Sequence, residues 1–390
     1  MNNQNKKFGY FTEGVYFKNA DGRVYTSDIF IIFINKLKLN GEITALGRLS
    51  KQDFSPKHQL RNMGFISLSY YKSLRSLIKI YPFYILRNLK KIFCFTKDID
   101  LLLISASGPI SVLLIWFMKI QRKKVIIFIR SDIRELIKAK DHNTFMLDIF
   151  ANWIESSFEK SVKNNSSITA FAFGDDIFNR YSKFSNSVIS AASSRFEMSH
   201  IISSDELSFN DTSCVNLLYV GRLSKGKGLN LLIETISMLK SNRFKLTIIG
   251  DGDIKDELVL LVKNLGLNEK IIFKGYIPFG ERLFKEYSHY DVLILPSFSE
   301  GLPQVILEAM ARGVAVVASG VGGIKDLIKD GENGYMFDPG DKSTLLNILE
   351  EILAGDLPLL NIRRNGLTTA EKFSFEKQAE KIYNVLNQYN

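Results

Sequence analysis

The sequence predicts an α/β fold: two doubly wound, Rossmann-like parallel-sheet domains facing a cleft. Three observations predict it. Short apolar runs alternate with longer stretches of helical pattern along nearly the whole chain, the rhythm of parallel strands joined by helices. The runs are apolar throughout rather than at every second residue, as strands covered on both faces require. The chain has 390 residues, 46% hydrophobic and 24% charged, an ordinary globular composition with length for two cores.

Taken in order, the first series of strands falls at FGYFTE (around Tyr10), then near residues 43–46, 65–70, 101–104, 125–129 and 168–173. Most spacers between them are long enough for helices. Residues 101–118 carry no charge and approach the length of a membrane span. Their middle, Ser105-Ala-Ser-Gly-Pro109, breaks such a span, so a buried strand, a tight loop and a helix starting near Pro109 is the preferred reading. A polar seam at residues 193–213 reads as a linker. After it come NLLYVG, FKLTIIG, KIIFKG, DVLILP, VAVVAS and GYMF, separated by patterns such as LNLLIETISMLK. The expected domains are residues 1–200, which would bind the acceptor, and 201–372, which would bind the donor. Residues 373–390 form a terminal amphipathic helix.

Composition excludes several classes. Cys94 and Cys214 are the only cysteines, too few for a disulfide framework or a thiolate metal site. The histidines, at 58, 142, 200 and 289, share no metal-ligand spacing. Two lysines at the N-terminus precede no apolar stretch, so no secretory signal is read there and a cytoplasmic place is expected. The net charge of +10 lies in the first half. Between residues 48 and 97, eleven lysines and arginines face one acid, Asp53, with Tyr, Phe, Leu and Ile interleaved. Such a stretch suits an anionic membrane surface. Nucleic acid would also attract it, and a solvated lysine-rich helix face is the plain alternative.

In open parallel sheets ligands sit beyond the carboxyl ends of the strands. Three turns stand there. Gly221-Arg222-Leu223-Ser224-Lys225-Gly226-Lys227-Gly228 follows NLLYVG and leads into a helix. A glycine-rich entry to a helix favours anions, and Arg222 and Lys227 add two cations suited to a pyrophosphate. A plain strand–helix turn with surface lysines explains the same residues. Gly221-x4-Gly226-Lys227 resembles a phosphate loop, but position 228 is Gly, not Ser or Thr, so the magnesium ligand of a nucleotide hydrolase is missing. Gly250-Asp251-Gly252-Asp253 follows FKLTIIG; a turn with Asp253 capping the next helix is preferred over a metal site. After DVLILPS comes Phe298-Ser-Glu300-Gly301-Leu302-Pro303-Gln304-Val-Ile-Leu-Glu308. Gly301 permits close backbone approach, Pro303 suits a first helical turn, and both carboxylates can accept hydrogen bonds from hydroxyls. A capping acid plus an exposed helix glutamate is the bland alternative.

EGLPQVILE, from Glu300 to Glu308, resembles the E-x7-E signature of the retaining group-one glycosyltransferases, family four, of GT-B fold. The resemblance continues through ARGVAVVASGVGGIKDLIKDGENGYMFDPGD and includes VGRLSKGKGLNLLIE and IIGDGDIKDEL in the family's order. It is strong over residues 215–341; before them only the strand–helix rhythm agrees. It implies transfer of a sugar from a nucleotide diphosphate sugar, UDP- or GDP-linked, to a glycan or lipid-linked acceptor, with retention and without metal or cofactor. Arg222 and Lys227 would hold the diphosphate and, with Glu300 at the transferred sugar, carry catalysis. Gly221, Gly301 and the backbone of Leu302, Pro303 and Gln304 would line the donor, Glu308 would bind ribose hydroxyls, and Tyr276 and Ile277 would lie beside the base. The terminal helix would return to the first domain.

Departures from the family fall on the acceptor side. In place of a double-glycine loop stands TEGVYFKNADGRVYT, with Gly14 and Gly22. Where many members place a histidine, VIIFIRSD offers Arg130, Ser131 and Asp132. The usual G-G-x-P-E run is Gly322-Gly323-Ile324-Lys325-Asp326. The expected partners are therefore a nucleotide sugar, a lipid-linked or polysaccharide acceptor and an anionic inner-membrane face touched through residues 48–97, not nucleic acid. Two rivals are a nucleotide-sugar epimerase of similar fold, whose acid and histidine groups are missing, and a binding protein without catalysis that uses the basic first half.

Overall fold

The structure is a computed structural model describing residues 6–387 except 29, 38, 40, 51–57, 106–107, 131–144, 164–165, 174, 184, 186, 192–195 and 208–213. The chain divides into two compact units, residues 1–193 with 383–390, and residues 194–382. The terminal helix, Phe375–Asn387, runs through the second division point.

The first unit is built on one sheet of β1 (Lys6–Lys18), β2 (Val24–Thr26), β3 (Gly41–Ser50), β4 (His58–Gln59), β5 (Met63–Leu68), β6 (Leu101–Ile104), β7 (Lys124–Ile129), β8 (Ile168–Phe173) and β9 (Val188–Ala191). The parallel path runs β5-β3-β1-β6-β7-β8-β9, so β1 and β6 are neighbours where the winding reverses. The short β2 and β4 extend the far end of β1 in antiparallel pairing. Neither these two nor β9 is foreseen in the sequence: all three are four residues or fewer and sit among polar residues.

Strand β7 shows why the runs are continuously apolar. Val125, Ile127 and Ile129 join a core with the helices Leu74–Asp98, Pro109–Ile120 and Phe145–Val162. Phe128, pointing the other way, meets Phe30 at 5.0 Å and Phe171 at 5.7 Å between ring centres. Both faces are covered, so neither tolerates a polar residue. The uncharged residues 101–118 are indeed β6 and a helix entered through Gly108 and Pro109. Among the described residues no helix is long and apolar enough to cross a membrane.

Helix Leu74–Asp98 is closed at both ends. Ser73 and Ser76 form a reciprocal capping box. At the far end the Lys123 ammonium donates to the carbonyls of Thr96, Lys97 and Ile99 at 2.6–2.9 Å, satisfying oxygens that the helix itself cannot.

The second unit holds six parallel strands: β10 (Val215–Val220), β11 (Phe244–Ile249), β12 (Ile271–Gly275), β13 (Val292–Leu295), β14 (Ala315–Ser319) and β15 (Tyr335–Phe337). Their order, β12-β11-β10-β13-β14-β15, is that of the dinucleotide-binding doubly wound sheet. One buried core joins these strands to helices on both faces.

The turn after β10 depends on Gly228. It sits at φ 68°, and a Cβ there would collide with the carbonyl oxygen of Pro296. Gly228→Ala is therefore expected to destabilise the protein by about 2–3 kcal/mol. Gly226→Ala is the matched control, because no atom lies within 4 Å of a Cβ at that position. The comparison is a lowered denaturant midpoint for the first variant and an unchanged one for the second.

Candidate active site

Chain order places the crevice of the second unit where the winding reverses, between β10 and β13. Two loops meet there. Residues 221–228 leave β10 tied to the next strand: Gly221 N–H donates to Ile249 O, and Leu223 N–H to Asp251 O, each at 3.0 Å. A single 3-10 turn, Lys225–Lys227, then enters the helix Leu229–Ile236 without a side-chain cap. Residues 296–303 leave β13, and Phe298 N–H donates to Gly226 O at 2.9 Å, joining the loops. The helix Gln304–Ala311 that follows also begins without a side-chain cap. Both helix starts thus keep amide donors for an anion.

Lys227 and Glu300 form an ion pair at the junction, Nζ to Oε1 at 2.6 Å. Ser297 Oγ donates to the same carboxylate oxygen at 2.7 Å. Gly322 and Gly323 press against this loop. A Cβ on Gly322 would strike Glu300 O, one on Gly323 would crowd Gly301 O, and Gly323 N–H donates to Gly301 O at 3.0 Å. Gly301 itself faces open space, with no atom within 4 Å of a Cβ position. Internal packing therefore does not demand a glycine there, whereas close approach of a ligand would. Leu302 is half-buried and Pro303 buried; Gln304 has a buried amide oxygen without a hydrogen-bond partner, a polar group that packing alone does not explain.

A cleft of about 330 Å³ opens beside these loops. Ile249, Ile277, Phe279, Leu283 and Val305 supply its apolar wall; Gly221, Arg222, Asp251 and Tyr276 stand at it as well. Glu308 lines the cleft while only 2% exposed, and its Oε2 accepts from Tyr287 OH at 3.1 Å. A carboxylate has lone pairs for further donors, so Glu308 can also take hydroxyl groups presented from the cleft. The structure thus gathers Gly221, Arg222, Tyr276, Ile277 and Glu308 around one cavity, with Lys227 and Glu300 on the joined loops. Sequence reasoning missed Ser297 and Tyr287. Ser297 directly follows the β13 run and could have been suspected; nothing marks Tyr287, whose partner lies on another helix.

Arg222 is set differently from Lys227. Its side chain is 73% exposed and reaches Asp253 at 3.5 Å. This corrects the expectation for Asp253: the helix Lys255–Asn264 starts from Ile254 and has no side-chain cap. Asp251 instead accepts from Gly252 N–H at 2.8 Å and lies 3.8 Å from Lys255. Among the described residues no three His, Cys, Asp or Glu side chains are grouped as metal ligands.

In the first unit, Gly14 and Arg130 come together around a residue the sequence did not single out. Arg130 grips both oxygens of Asp28 at 3.2 and 3.3 Å, reaches Ser105 O at 3.1 Å and lies over the Phe30 ring. Thr12 donates to Asp28 at 2.6 Å, and a Cβ on Gly14 would just touch Asp28. Ser105 and Arg130 directly follow β6 and β7 at their carboxyl ends, whereas Thr12 and Gly14 lie within β1, at its break in register between Phe11 and Val15. Gly22 is not part of it: at φ 81° it turns the hairpin between β1 and β2, where Gly22 N–H donates to Asn19 O. Asp132 lies outside the described residues.

Among known proteins, residues 208–369 match the model of a family described as glycosyl transferases group 1. An uncharacterized glycosyltransferase of Methanocaldococcus jannaschii is 34% identical over 174 residues, 43% of this chain and 44% of that protein. A Campylobacter jejuni enzyme, N-acetylgalactosamine-N,N'-diacetylbacillosaminyl-diphospho-undecaprenol 4-alpha-N-acetylgalactosaminyltransferase, is 32% identical over 171 residues, 44% of this chain and 46% of that one. The chain thus spans less than half the length of these curated relatives. Among solved structures, Anabaena Alr3699/HepE, crystallised with UDP, superposes with a TM-score of 0.69 at 16% identity, covering 98% of this chain and 100% of that one. At that identity the likeness shows the fold.

Proposed function

We propose that this chain, a GT-B protein whose residues 208–369 are a group 1 glycosyl transferase domain, moves a sugar from a nucleotide diphosphate sugar to a lipid-linked or polysaccharide acceptor. The observation that carries the reading is the Lys227–Glu300 pair on two joined loops, the first of which, through Gly221 and Arg222, lines a cleft that also contains the buried Glu308. Two further facts support it. HepE was crystallised with UDP and with UDP-glucose. The Campylobacter relative is named for a diphospho-undecaprenol acceptor.

In this reading the base lies against Tyr276 and Ile277, and Glu308 accepts from the ribose hydroxyls. The diphosphate meets Arg222, Lys227 and the uncapped amides of the two helix starts. Breaking the sugar–phosphate bond builds negative charge on the departing diphosphate and positive charge on the sugar. Lys227 is already fixed by Glu300 and Ser297, so it answers the first charge with little reorganisation. Glu300, in this reading, meets the second. Two side-chain cations serve the diphosphate, which supports a reaction that needs no metal. The first unit, which carries Gly14 and Arg130, would bind the acceptor, at the cytoplasmic face of a membrane.

The test is a panel of UDP- and GDP-sugars incubated with the protein and a membrane lipid extract. Release of nucleoside diphosphate with labelled lipid is expected from one donor. An isomerised donor without release would instead indicate an epimerase. Product NMR is expected to show the donor's anomeric configuration retained; an inverted product would end that part of the reading.

A further inference from the structure

The outward side of helix Leu74–Asp98 is unusual for a surface helix. Its inward stripe is ordinary: Leu77, Tyr84, Ile92 and Phe95 are buried. On the opposite side, Lys79, Phe83, Leu86, Lys90, Phe93 and Lys97 are all exposed, at alternating spacings of four and three residues. Phe83 is 76% and Leu86 70% exposed. A second apolar stripe, interrupted only by lysines, therefore runs along the solvent face. The sole acid of this helix is Asp98, its last residue, which pairs with Lys7.

The stripe does not stand alone. Ring contacts run from Phe93 to Phe117 at 5.8 Å and from Phe117 to Trp116 at 5.1 Å, on helix Pro109–Ile120. Tyr81 meets Phe150 at 5.7 Å and Trp153 at 6.4 Å, on helix Phe145–Val162. Trp116 and Trp153, the only tryptophans of the chain, are 54% and 45% exposed; Ile120 and Ile149 beside them are exposed too. Across the described residues of these three helices, seven lysines and arginines are exposed but only two acids, Asp98 and Asp148; Glu155 and Glu159 are turned to Arg180. The basic run at 48–97 is used selectively. Arg48 is turned inward, donating to the carbonyls of Glu13 and Tyr71, and Lys91 donates to Ser67 O.

We propose that this three-helix face docks on an anionic lipid bilayer, with its aromatic and aliphatic side chains seated at headgroup depth and its lysines on the phosphates. The chemistry selects that occupant. A nucleic acid would engage the lysines but leave Phe83, Leu86 and Ile120 in water. A second copy related by twofold symmetry would set lysines against lysines. A bilayer interface takes both, since amphipathic rings and snorkelling lysines belong at that depth. The inference is independent of the donor cleft, and it extends the basic 48–97 stretch to two further helices and to insertion of apolar side chains.

Because both tryptophans lie on this face, the whole chain reports on itself. Vesicles of phosphatidylcholine with phosphatidylglycerol are expected to shift the tryptophan emission to the blue, and bromine-labelled lipid is expected to quench it; phosphatidylcholine alone should do neither. Lys79→Gln, Lys90→Gln and Lys97→Gln together should weaken partitioning about a hundredfold. Phe83→Ser with Leu86→Ser should weaken it about tenfold or more. These positions are exposed, so thermal melts should match the parent. Three results would overturn the proposal: an unchanged spectrum with anionic vesicles, partitioning that ignores both sets of substitutions, or a blue shift that follows protein concentration without lipid, which would indicate self-association. Calorimetry of the same preparations with nucleotide sugars separates this outcome from any failure of the donor-site reading.

Discussion

Lys227→Ala is expected to lower nucleoside diphosphate release by about two to three orders of magnitude in kcat, the range for removing one preorganised donor from a developing anion. The ground for a large effect is the setting of the ammonium. It is held 2.6 Å from Glu300, whose carboxylate is held in turn by Ser297. The charge is therefore positioned before substrate arrives, and its interaction strengthens as the diphosphate departs. Steady-state release with saturating donor reads the effect, and a thermal melt separates it from lost stability. A kcat within a few-fold of the parent would remove Lys227 from the chemistry. Arg222→Ala should cost less, because that side chain is mostly exposed and its 3.5 Å partner, Asp253, is exposed as well.

Glu308→Gln should act differently. The carboxylate is buried at the cleft and retains Tyr287 as a donor, so an isosteric amide keeps its volume and that contact. What is lost is charge-assisted acceptance of hydroxyl donors, worth about 1.5–3 kcal/mol for a bond. Those hydroxyls are remote from the bond that breaks and are bound alike in ground and transition states. The donor KM is expected to rise about ten- to a hundredfold while kcat changes little. A fall in kcat at unchanged KM would place Glu308 elsewhere in the reaction.

The two predictions rest on residues that the sequence exposes unequally. The second sheet is legible because its strands are largely apolar runs, interrupted by few residues such as Lys245 and Lys274, and the loops after them carry the charged groups. The partners of those groups are not legible. Tyr287 meets Glu308 across two helices, and Asp28 meets Arg130 from 102 positions away. Such pairings are made by strand order, which no local pattern encodes. Local reasoning also misassigned Asp253, since an acid two residues before a helix has the right chemistry for a cap; here the chain turns so that Ile254 takes the capping position and Asp253 faces Arg222. The basic stretch shows the same limit. Composition identifies a cationic region, but only the fold separates Arg48, half-buried and bonded to carbonyls, from Lys79, Lys90 and Lys97 on an outward apolar stripe.

Titration calorimetry of the intact protein with uridine and guanosine diphosphates and their sugars is the most direct test of a nucleotide-sugar cleft in the second unit. Saturable binding of one nucleoside series is expected, weakened by both Glu308→Gln and Lys227→Ala. A folded protein that binds no nucleoside diphosphate and no nucleotide sugar would contradict it.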